Sequence, residues 1–347
     1  MAIDNSSEER KISQFCSRIG SDSTLIQGAG GNISWKDKDI LWIKASGTRL
    51  ADAEERQIFV PVDLNAMKSA MGSGDFDTEP IVLGGSKLRP SIETHLHALM
   101  PHKIVLHLHP VEVLSHLVLK NSKDAIKARM GSSLLWDYVD YQRPGKALAI
   151  CISDVINKSS ALDVIFLQNH GIVVGGEDIS SIEGLLKSIV NKFKCKVLHE
   201  DAFAIDNHAI SMLMNCCNYS IIKNNELNGL ATNKKLSSRL KTAWALYPDH
   251  VVFLGSQAAV FSPVDELQSV AECIYQQSAY IFFLGVGVFE SPKATGAQRE
   301  MLQCYYDVVK RLDVDKELNV LSRSDVDDLL NREDEKYRMN LSVTIVN

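Results

Sequence analysis

The sequence Ile-Val-Leu-His-Leu-His-Pro occupies residues 104–110, and its first five residues have the apolar character of a strand. Side chains along a strand alternate between its two faces, so His107 and His109 are expected to point to the same side, with Leu106 and Leu108 in the core. Two imidazoles on the same side of a strand can coordinate one divalent ion, because histidine is the usual nitrogen ligand of zinc. This stretch therefore predicts a strand that ends in a metal site.

Two flanking motifs supply the other groups that such a site requires. Upstream lies Pro90-Ser91-Ile92-Glu93, and the Glu93 carboxylate is a candidate base beside the metal. Downstream, Gln168-Asn169-His170-Gly171 ends another apolar run and offers His170 as the third ligand. A catalytic zinc normally has three protein ligands and one open position. The predicted metal ligands are His107, His109 and His170.

The other histidines carry less weight in this prediction. The chain has ten, and six of them lie between His95 and His116. His97 lies four residues after Glu93 on a predicted helix, which is the spacing that makes it a candidate supporting group for the site. We assign the rest to the surface or the core: His95, His102, His116, His199, His208 and His250.

A glycine-rich turn, Gly28-Ala29-Gly30-Gly31-Asn32, exposes backbone N–H groups that can hold an anion, although a tight structural turn is the ordinary explanation of such a run. It is not a dinucleotide-binding fingerprint, because no strand of suitable length precedes it. Further donors are Ser46, Gly47 and Ser91, which with the turn would make a neutral phosphate cradle. Two roles are open for Lys44 and Arg49: a counter-charge for a phosphate bound in this cradle, or an ordinary solvated side chain.

Composition excludes several classes of function. The 347 residues carry a net charge of −6, so no broad basic surface indicates a nucleic-acid partner. No apolar run approaches the roughly 20 residues that span a bilayer, and the polar, acidic first residues do not resemble a signal peptide. Seven cysteines are scattered without a CxxC pair. We therefore expect a cytoplasmic protein with reduced thiols and no membrane partner.

Short strands mixed with helices predict an α/β sandwich over residues 1–205. Helices are expected at 7–20, 91–99, 111–119 and 179–203, and strands at 32–35, 40–44, 59–62, 104–108, 147–152 and 164–167, the last continuing through Val173-Val174. Ser91 is the expected cap of its helix.

The pattern of predicted secondary structure changes after residue 205. Residues 206–235 are expected to be a linker, polar and loop-like from 224 onwards. Residues 236–347 are expected to be a small βαβα subdomain with parallel pairing, built from a strand at 251–254, a helix at 263–277, a strand at 280–289 and a helix at 297–312. Gly285-Val286-Gly287 indicates either a structural turn or a separate ligand site there. A charged helix is expected at 322–339.

Taken in order, Gly-Asn-x-Ser, Ser-Gly, Pro-Ser-x-Glu, His-x-His and Asn-His-Gly resemble the class II aldolase and adducin head-domain family. The resemblance covers about residues 10–205. It is strongest to the aldolase part of bifunctional rhamnulose-1-phosphate aldolase/dehydrogenases, through Ser91-Ile92-Glu93-Thr94 and Gln142-Arg143-Pro144-Gly145. It implies a three-layer α/β/α sandwich and a zinc-dependent lyase of carbohydrate metabolism, commonly a homotetramer or other homo-oligomer with its sites at subunit boundaries.

The resemblance also implies roles for individual residues. Glu93 matches the carboxylate that moves the proton, and Tyr141, in the loop before Pro144-Gly145, falls where a tyrosine of a neighbouring subunit acts as the acid. The three predicted metal ligands match the family's zinc ligands. The positions that match phosphate-binding residues are Gly31, Asn32, Ser46, Gly47 and Ser91. Ile92 stands where the aldolases have a second serine, and Ser46-Gly47 replaces their Thr-Gly.

The function that this resemblance implies is the reversible cleavage of a phosphorylated ketose to dihydroxyacetone phosphate and an aldehyde, with zinc or another divalent transition metal as cofactor. One alternative is a different metal-dependent sugar-phosphate enzyme on the same scaffold, namely an epimerase, a decarboxylase or a dehydratase. Epimerases of the family carry aspartate at the Glu93 position. Another alternative is a non-catalytic binding protein like adducin, which need not keep metal ligands.

Overall fold

A computed structural model describes residues 6–131, 134–159, 162–197, 218–262, 278–313 and 315–344. Contacts divide the chain into two compact units, Met1–Lys194 and Cys195–Asn347, called here the N-terminal and C-terminal units. The boundary expected at residue 205 lies outside the described residues. The three-part division of the chain therefore stays a prediction.

A seven-stranded sheet organises the N-terminal unit. Its strands are β1 Asn32–Asp37, β2 Ile40–Lys44, β3 Phe59–Asp63, β4 Ile104–Leu108, β5 Trp136–Val139, β6 Val164–Leu167 and β7 Gly171–Gly176. Their spatial order is β3-β2-β1-β4-β7-β6-β5, and neighbours run antiparallel except for the parallel pair β5 and β6. The strand that carries His107 is therefore the central one, between β1 and β7.

Helices cover both faces of this sheet. They are α1 Ser6–Gly20, α2 Leu64–Gly72, α3 Thr94–Leu99, α4 Val111–Leu117, α5 Ser122–Met130, α6 Lys146–Lys158 and α7 Ile179–Phe193. On one face Leu106 and Leu108 join a core with α1, α4, α5 and α7, while on the other Val105 packs with α3 and α6. A third core joins β2 and β3 to α2. The alternation of side chains along the strands produces the two buried faces, and the expected three-layer α/β/α sandwich is confirmed.

One predicted strand is a helix. Residues 147–152 lie in α6, where Leu148, Ala149 and Ile152 form a buried face while Ile150 is exposed. This burial has the helical period and not the period of two that a strand requires. A short apolar run does not by itself distinguish the two periods, which is why the sequence was misleading here.

The predicted strand at residues 164–167 does not continue through Val173-Val174. A turn at Asn169, His170 and Gly171 reverses the chain, and β7 runs back antiparallel to β6. Asn169 accommodates the turn with a φ of 52°, a left-handed conformation that asparagine tolerates better than most residues. The reversal brings His170 next to the C-terminal end of the central strand β4.

The C-terminal unit has a four-stranded sheet. Its strands are β8 Ser220–Ile221, β9 Ala259–Phe261, β10 Tyr280–Phe283 and β11 Gly287–Glu290, in the order β8-β11-β10-β9. Its described helices are α8 Asn225–Thr232, α9 Lys234–Thr242, α10 Pro248–Leu254, α11 Gly296–Val309, α12 Arg323–Asn331 and α13 Glu333–Thr344. β9 and β10 are parallel, whereas the helix expected at 263–277 lies outside the described residues. Among the described residues of both units, no helix has the length and apolarity that crossing a bilayer requires.

Two predictions in the C-terminal unit underestimated helix formation. Residues 251–254 were expected to be a strand, but they end α10, which begins at Pro248, a residue well suited to the first position of a helix. The polar segment from residue 224 was expected to be a loop, but it forms α8 and α9. The side chains of Asn224 and Asn233 cap these two helices by accepting backbone N–H groups, so asparagine marks helix starts here and not turns.

The strand predicted at residues 280–289 is two strands. A turn at Gly285, with a φ of 80°, joins β10 to β11 as an antiparallel hairpin. The Asn228 side chain accepts the backbone N–H of Val288, and a Cβ at Gly287 would lie 2.9 Å from the Asn228 Oδ1 atom. Packing and turn geometry thus account for Gly285-Val286-Gly287.

A buried histidine gives the C-terminal unit a testable sensitivity to acid. His250 is fully buried among the rings of Trp244, Tyr247 and Tyr305, at centroid distances of 4.5, 5.4 and 4.7 Å. Neither of its ring nitrogens has a hydrogen-bond partner among the described residues. Burial lowers the pKa of His250 to about 3, because the charged form would lose its hydration.

We expect the variant His250→Phe to be less sensitive to acid than the wild type. Below pH 6.5 the unfolded chain protonates this histidine and the folded chain does not, so the wild type loses stability as the pH falls. The loss from this residue should reach about 2 kcal/mol at pH 5. Urea unfolding from pH 7 to pH 5 measures the difference between the two proteins. Equal pH dependence would show that His250 is not the responsible group.

Candidate active site

Three histidine side chains meet at the end of β4. His107 lies in that strand, His109 follows it, and His170 comes from the turn between β6 and β7. The Nε2 atoms of His107 and His109 lie 3.1 Å apart, and the His170 ring centroid lies 4.8 and 5.3 Å from theirs. All three rings are buried, with candidate ligand atoms within 4.8 Å of one another. The fold thus brings together the three metal ligands that the sequence predicted.

The tautomer of His107 suits a metal ligand. Its Nδ1 atom lies 2.9 Å from the backbone oxygen of Ile172 on the neighbouring strand β7. Because a carbonyl oxygen only accepts, Nδ1 carries the hydrogen and Nε2 presents its lone pair to the other histidines. A backbone acceptor of this kind fixes the tautomer and the ring orientation of metal-binding histidines.

Glu93 lies against this cluster. Its Oε2 atom is 3.6 Å from the Nε2 atom of His107, and its Oε1 atom is 3.6 Å from the Nε2 atom of His170. The Asn32 side chain donates to Oε2 at 2.6 Å, whereas Oε1 is buried without a hydrogen-bond partner among the described residues. A buried carboxylate oxygen without a donor is costly. A divalent cation among three imidazoles and a carboxylate would remove that cost, so the residues present fit a metal of the zinc type.

The turn that carries His170 is tightly packed. A Cβ atom added at Gly171 would lie 2.3 Å from the Leu108 backbone oxygen and 2.8 Å from Cδ2 of His109. The first neighbour is backbone of the central strand and has little freedom to move. Glycine at this position therefore allows β7 to approach the end of β4 closely.

We expect Gly171→Ala to destabilise the protein and to weaken metal binding together. The added methyl group should cost about 1–3 kcal/mol as an overpacking substitution and should separate His109 from His170. Urea denaturation and a zinc titration measure the two effects. Gly184→Ala is the matched control, since nothing lies within 4 Å of a Cβ there. Wild-type metal affinity in Gly171→Ala would contradict the prediction.

The segments predicted to bind phosphate are connected to one another. The backbone N–H of Ser46 donates to the Arg89 backbone oxygen at 2.8 Å, and Ala45 forms a β-bridge with Pro90. These contacts place the Ser46-Gly47 turn beside the segment that carries Ser91. Asn32 begins β1 directly after Gly31, and it pairs with His107 on β4. A Cβ at Gly31, whose φ is 60°, would lie 2.8 Å from the His107 backbone oxygen.

Ser91 has a different local role from the one expected. The helix α3 begins at Thr94, and Glu93 occupies its N-cap position without a side-chain cap. The Ser91 hydroxyl accepts the backbone N–H of Glu93 at 3.2 Å within the preceding turn. Ser91 therefore orients Glu93 directly and does not cap the helix. Its hydroxyl hydrogen can still donate to an anion.

Tyr141 lies in the loop after β5, as predicted. Its backbone N–H donates to the Gln168 side-chain oxygen at 3.1 Å, and the Gln168 side-chain nitrogen donates to the Ser122 hydroxyl at 3.3 Å. Gln168 is two residues from His170, so this amide connects the Tyr141 loop to the turn of a predicted ligand. No role for Gln168 is apparent from the sequence alone, because the contact joins segments 27 residues apart.

His97 lies behind the site and not in the three-histidine cluster. It is fully buried, and its Nδ1 atom lies 2.8 Å from the hydroxyl of Ser34 on β1. Burial lowers the pKa of His97 well below its ordinary value, and the nearby His107 adds to this effect. The remaining described histidines also lie outside the cluster: His95, His102, His116 and His250.

Comparison with known proteins adds a family match. A model of the Class II Aldolase and Adducin N-terminal domain family matches residues 10–197, more than half of the chain. An uncharacterized oxidoreductase of Bacillus subtilis strain 168, YuxG, is 31% identical over 175 residues. That match covers 46% of this chain and only 25% of the relative, so the chain spans a small part of that protein's length.

Two shorter proteins are covered more fully. An L-fuculose phosphate aldolase of Methanocaldococcus jannaschii is 24% identical over 179 residues, which are 50% of this chain and 86% of that protein. A solved N-terminal class II aldolase domain of a conserved Thermoplasma acidophilum protein is 26% identical, with a TM-score of 0.46. That comparison covers 54% of this chain and 92% of the other. The match to the Methanocaldococcus jannaschii protein covers about as much of this chain as the family model does.

Proposed function

Because the chain belongs to the class II aldolase and adducin N-terminal domain family, we propose that it is a metal-dependent aldolase, a carbon–carbon lyase that cleaves a phosphorylated ketose reversibly to dihydroxyacetone phosphate and an aldehyde. The observation that carries this proposal is the buried cluster of three imidazoles with Glu93 3.6 Å from two of them. An anion cradle beside a metal and a base suits a sugar phosphate better than a neutral sugar.

His107, His109 and His170 would hold the cation, with zinc the first choice for three nitrogen ligands and other divalent transition metals also accepted. Bound there, a divalent cation supplies positive charge that stabilises the negative charge developing on the ketose when the carbon–carbon bond breaks. The three rings are buried, and in surroundings of low polarity such an electrostatic contribution is larger than in water.

Glu93 and Tyr141 carry the proton transfers in this proposal. In the synthesis direction the Glu93 carboxylate removes the proton from the carbon of dihydroxyacetone phosphate that forms the new bond. The Tyr141 hydroxyl donates a proton to the aldehyde oxygen as that oxygen gains charge. Cleavage reverses both transfers. Asn32 and Ser91 orient Glu93, because one donates to its side chain and the other accepts its backbone N–H.

The phosphate group would bind at Gly31, Asn32, Ser46, Gly47 and Ser91. The turn contacts described above, which join the Ser46 segment to the Ser91 segment, support this assignment. We also propose a cytoplasmic homo-oligomer, with a homotetramer as the expected form, because the family resemblance places the tyrosine acid on a neighbouring subunit. Light scattering after size-exclusion chromatography measures this state.

A cleavage screen tests the function. The purified protein is analysed for bound metal, reloaded with zinc, and incubated with a panel of ketose 1-phosphates and their unphosphorylated counterparts. Release of dihydroxyacetone phosphate from at least one phosphorylated member is expected. Isomerised, decarboxylated or dehydrated products would instead identify an epimerase, a decarboxylase or a dehydratase. A protein without bound metal and without turnover would favour an adducin-like binding function.

A further inference from the structure

A glutamine side chain extends the sheet at the point where β5 and β6 end. These two strands are parallel, and their last pair joins Val139 to Leu167. The backbone N–H of Gln168 donates to the Val139 oxygen at 3.0 Å, which continues the ladder by one bond. In a parallel ladder the next bond would join the Tyr141 N–H to the Gln168 backbone oxygen. Here the Gln168 side-chain oxygen accepts that N–H, at 3.1 Å.

The side chain takes this position because the chain turns immediately afterwards. Asn169 has a φ of 52°, and its backbone N–H donates to the oxygen of Leu117 in α4 at 3.2 Å. The backbone therefore leaves the ladder at the turn that directs His170 to the three-histidine cluster. The Gln168 side chain spans the remaining distance to the Tyr141 loop.

The other end of the Gln168 amide is also bonded. Its nitrogen donates to the Ser122 hydroxyl oxygen at 3.3 Å, and that oxygen lies 2.5 Å from the Tyr138 hydroxyl. Ser122 is buried at the start of α5, 46 residues before Gln168. An amide whose oxygen and nitrogen both have partners is held in one orientation. The Tyr141 N–H therefore meets an acceptor with a fixed position.

Packing alone does not require a glutamine at residue 168. Ordering a long, half-buried polar side chain costs conformational entropy, which a smaller apolar residue would largely avoid. What the glutamine adds is a polar connection between the turn of His170 and the loop of Tyr141. The Tyr141 hydroxyl can reach the aldehyde oxygen only if the backbone of its loop is correctly placed. A misplacement of about 1 Å can cost on the order of 10²-fold in rate.

We propose that Gln168 is a positioning residue for the Tyr141 acid, and that it fixes the loop through the Tyr141 N–H so that the hydroxyl reaches the aldehyde oxygen. This inference rests on the proposed function, since it names the residue that places the acid of that mechanism. Gln168 does not touch the substrate in this role. The contacts that fix the loop lie within one chain, so the inference holds whether Tyr141 serves its own site or that of a neighbouring subunit.

The two halves of the proposed reaction separate this role from a general loss of structure. Without aldehyde, Glu93 removes a proton from dihydroxyacetone phosphate and returns a deuteron acquired from heavy water, a step that does not use the acid. Proton NMR follows this exchange. With aldehyde present, bond formation needs Tyr141 as well. In zinc-loaded Gln168→Leu we expect synthesis and cleavage to be about tenfold slower, with wild-type deuterium exchange and wild-type zinc content.

Two further measurements examine the contact itself. Backbone hydrogen exchange of the peptide that contains Tyr141, followed by mass spectrometry, should be faster in Gln168→Leu because the Tyr141 N–H loses its acceptor. In a Tyr141→Phe background, Gln168→Leu should cause no further loss of synthesis. Two residues that act as one unit give non-additive effects, whereas a general structural defect would add to the loss.

A second glutamine provides a matched control. Gln298 is half-buried in the C-terminal unit, and its amide also has partners at both ends. Its oxygen accepts the Thr295 backbone N–H at 2.9 Å, and its nitrogen donates to the Phe253 backbone oxygen at 3.1 Å. Gln298→Leu should leave synthesis, cleavage and deuterium exchange unchanged. Thermal unfolding checks every variant. If Gln168→Leu does not fold, Ser122→Ala, which frees the nitrogen end of the amide, is measured by the same criteria.

Three results would overturn the inference and leave the aldolase proposal intact. The first is wild-type synthesis by a folded Gln168→Leu variant. The second is a loss of deuterium exchange as large as the loss of synthesis, which would place the effect at Glu93 or at the metal. The third is a further loss of synthesis in the Tyr141→Phe background. A zinc-loaded wild-type protein with neither cleavage nor exchange would instead eliminate the proposed function, and this inference with it.

Discussion

Glu93→Gln should reduce cleavage and synthesis by roughly 10²–10⁴-fold, the contribution expected of a positioned acid–base group. Glutamine has nearly the shape of glutamate, and its side-chain oxygen can still accept the hydrogen bond from Asn32. The fold and the three histidine ligands are therefore preserved. The loss concerns only the proton that Glu93 exchanges with the substrate. Initial rates at saturating zinc, with metal content measured on the same preparation, give the result.

Glu177→Gln is the control for this substitution, since Glu177 is exposed after β7 and outside the site. It should retain full activity and full metal content. Activity of Glu93→Gln equal to that of the control would exclude Glu93 as the proton carrier. Loss of zinc in Glu93→Gln alone would instead identify the carboxylate as an indispensable metal ligand.

His170→Gln should abolish stable metal binding, and activity with it. Two imidazoles hold a zinc ion much less tightly than three, and the lost ligand belongs to a turn whose backbone the substitution leaves intact. Atomic emission spectrometry after dialysis measures the metal content. We expect close to one zinc ion per chain in the wild type and almost none in the variant. His95→Gln is the matched control, because the ring of His95 lies against the Thr78 backbone oxygen outside the cluster.

Chelation gives a second, independent readout of the same site. Metal bound only to the folded protein stabilises it by about 2.7 kcal/mol at a concentration one hundred times Kd. A chelator should therefore lower the Tm of the wild type and of His95→Gln, and should leave that of His170→Gln unchanged. A wild-type Tm that does not respond to the chelator would contradict a metal held by these three histidines.

The sequence was sufficient to predict the part of the site that depends on the alternation of side chains along a strand. His107 and His109 are two residues apart, and β4 has the predicted bounds, so the alternation of a strand was enough to place both rings on one side. The flanking motifs that contain Glu93 and His170, and the glycine-rich turn before Asn32, identified these three residues without any knowledge of the sheet order. The α/β class followed from short strands mixed with helices, and the three layers of the sandwich from the family resemblance.

Short apolar runs were less informative. Residues 147–152 and 251–254 were predicted as strands and are helices, because the burial that distinguishes the two periods depends on neighbouring elements. The polar segment from residue 224 is predicted to be a loop, but Asn224 and Asn233 within it cap two helices. In each of these cases the residue type permits both structures, and packing selects between them.

Long-range contacts were decided by the tertiary structure alone. The sequence identifies which residues have the chemistry to bind a cation, because ligand type and strand period are local properties. It does not show that Glu93 lies 3.6 Å from His107 and His170, that Gln168 holds the Tyr141 loop, or that the Lys44 ammonium group joins two turns. Those distances follow from the order of strands in the sheet, which brings together segments far apart in the chain and buries charges that would otherwise be solvated.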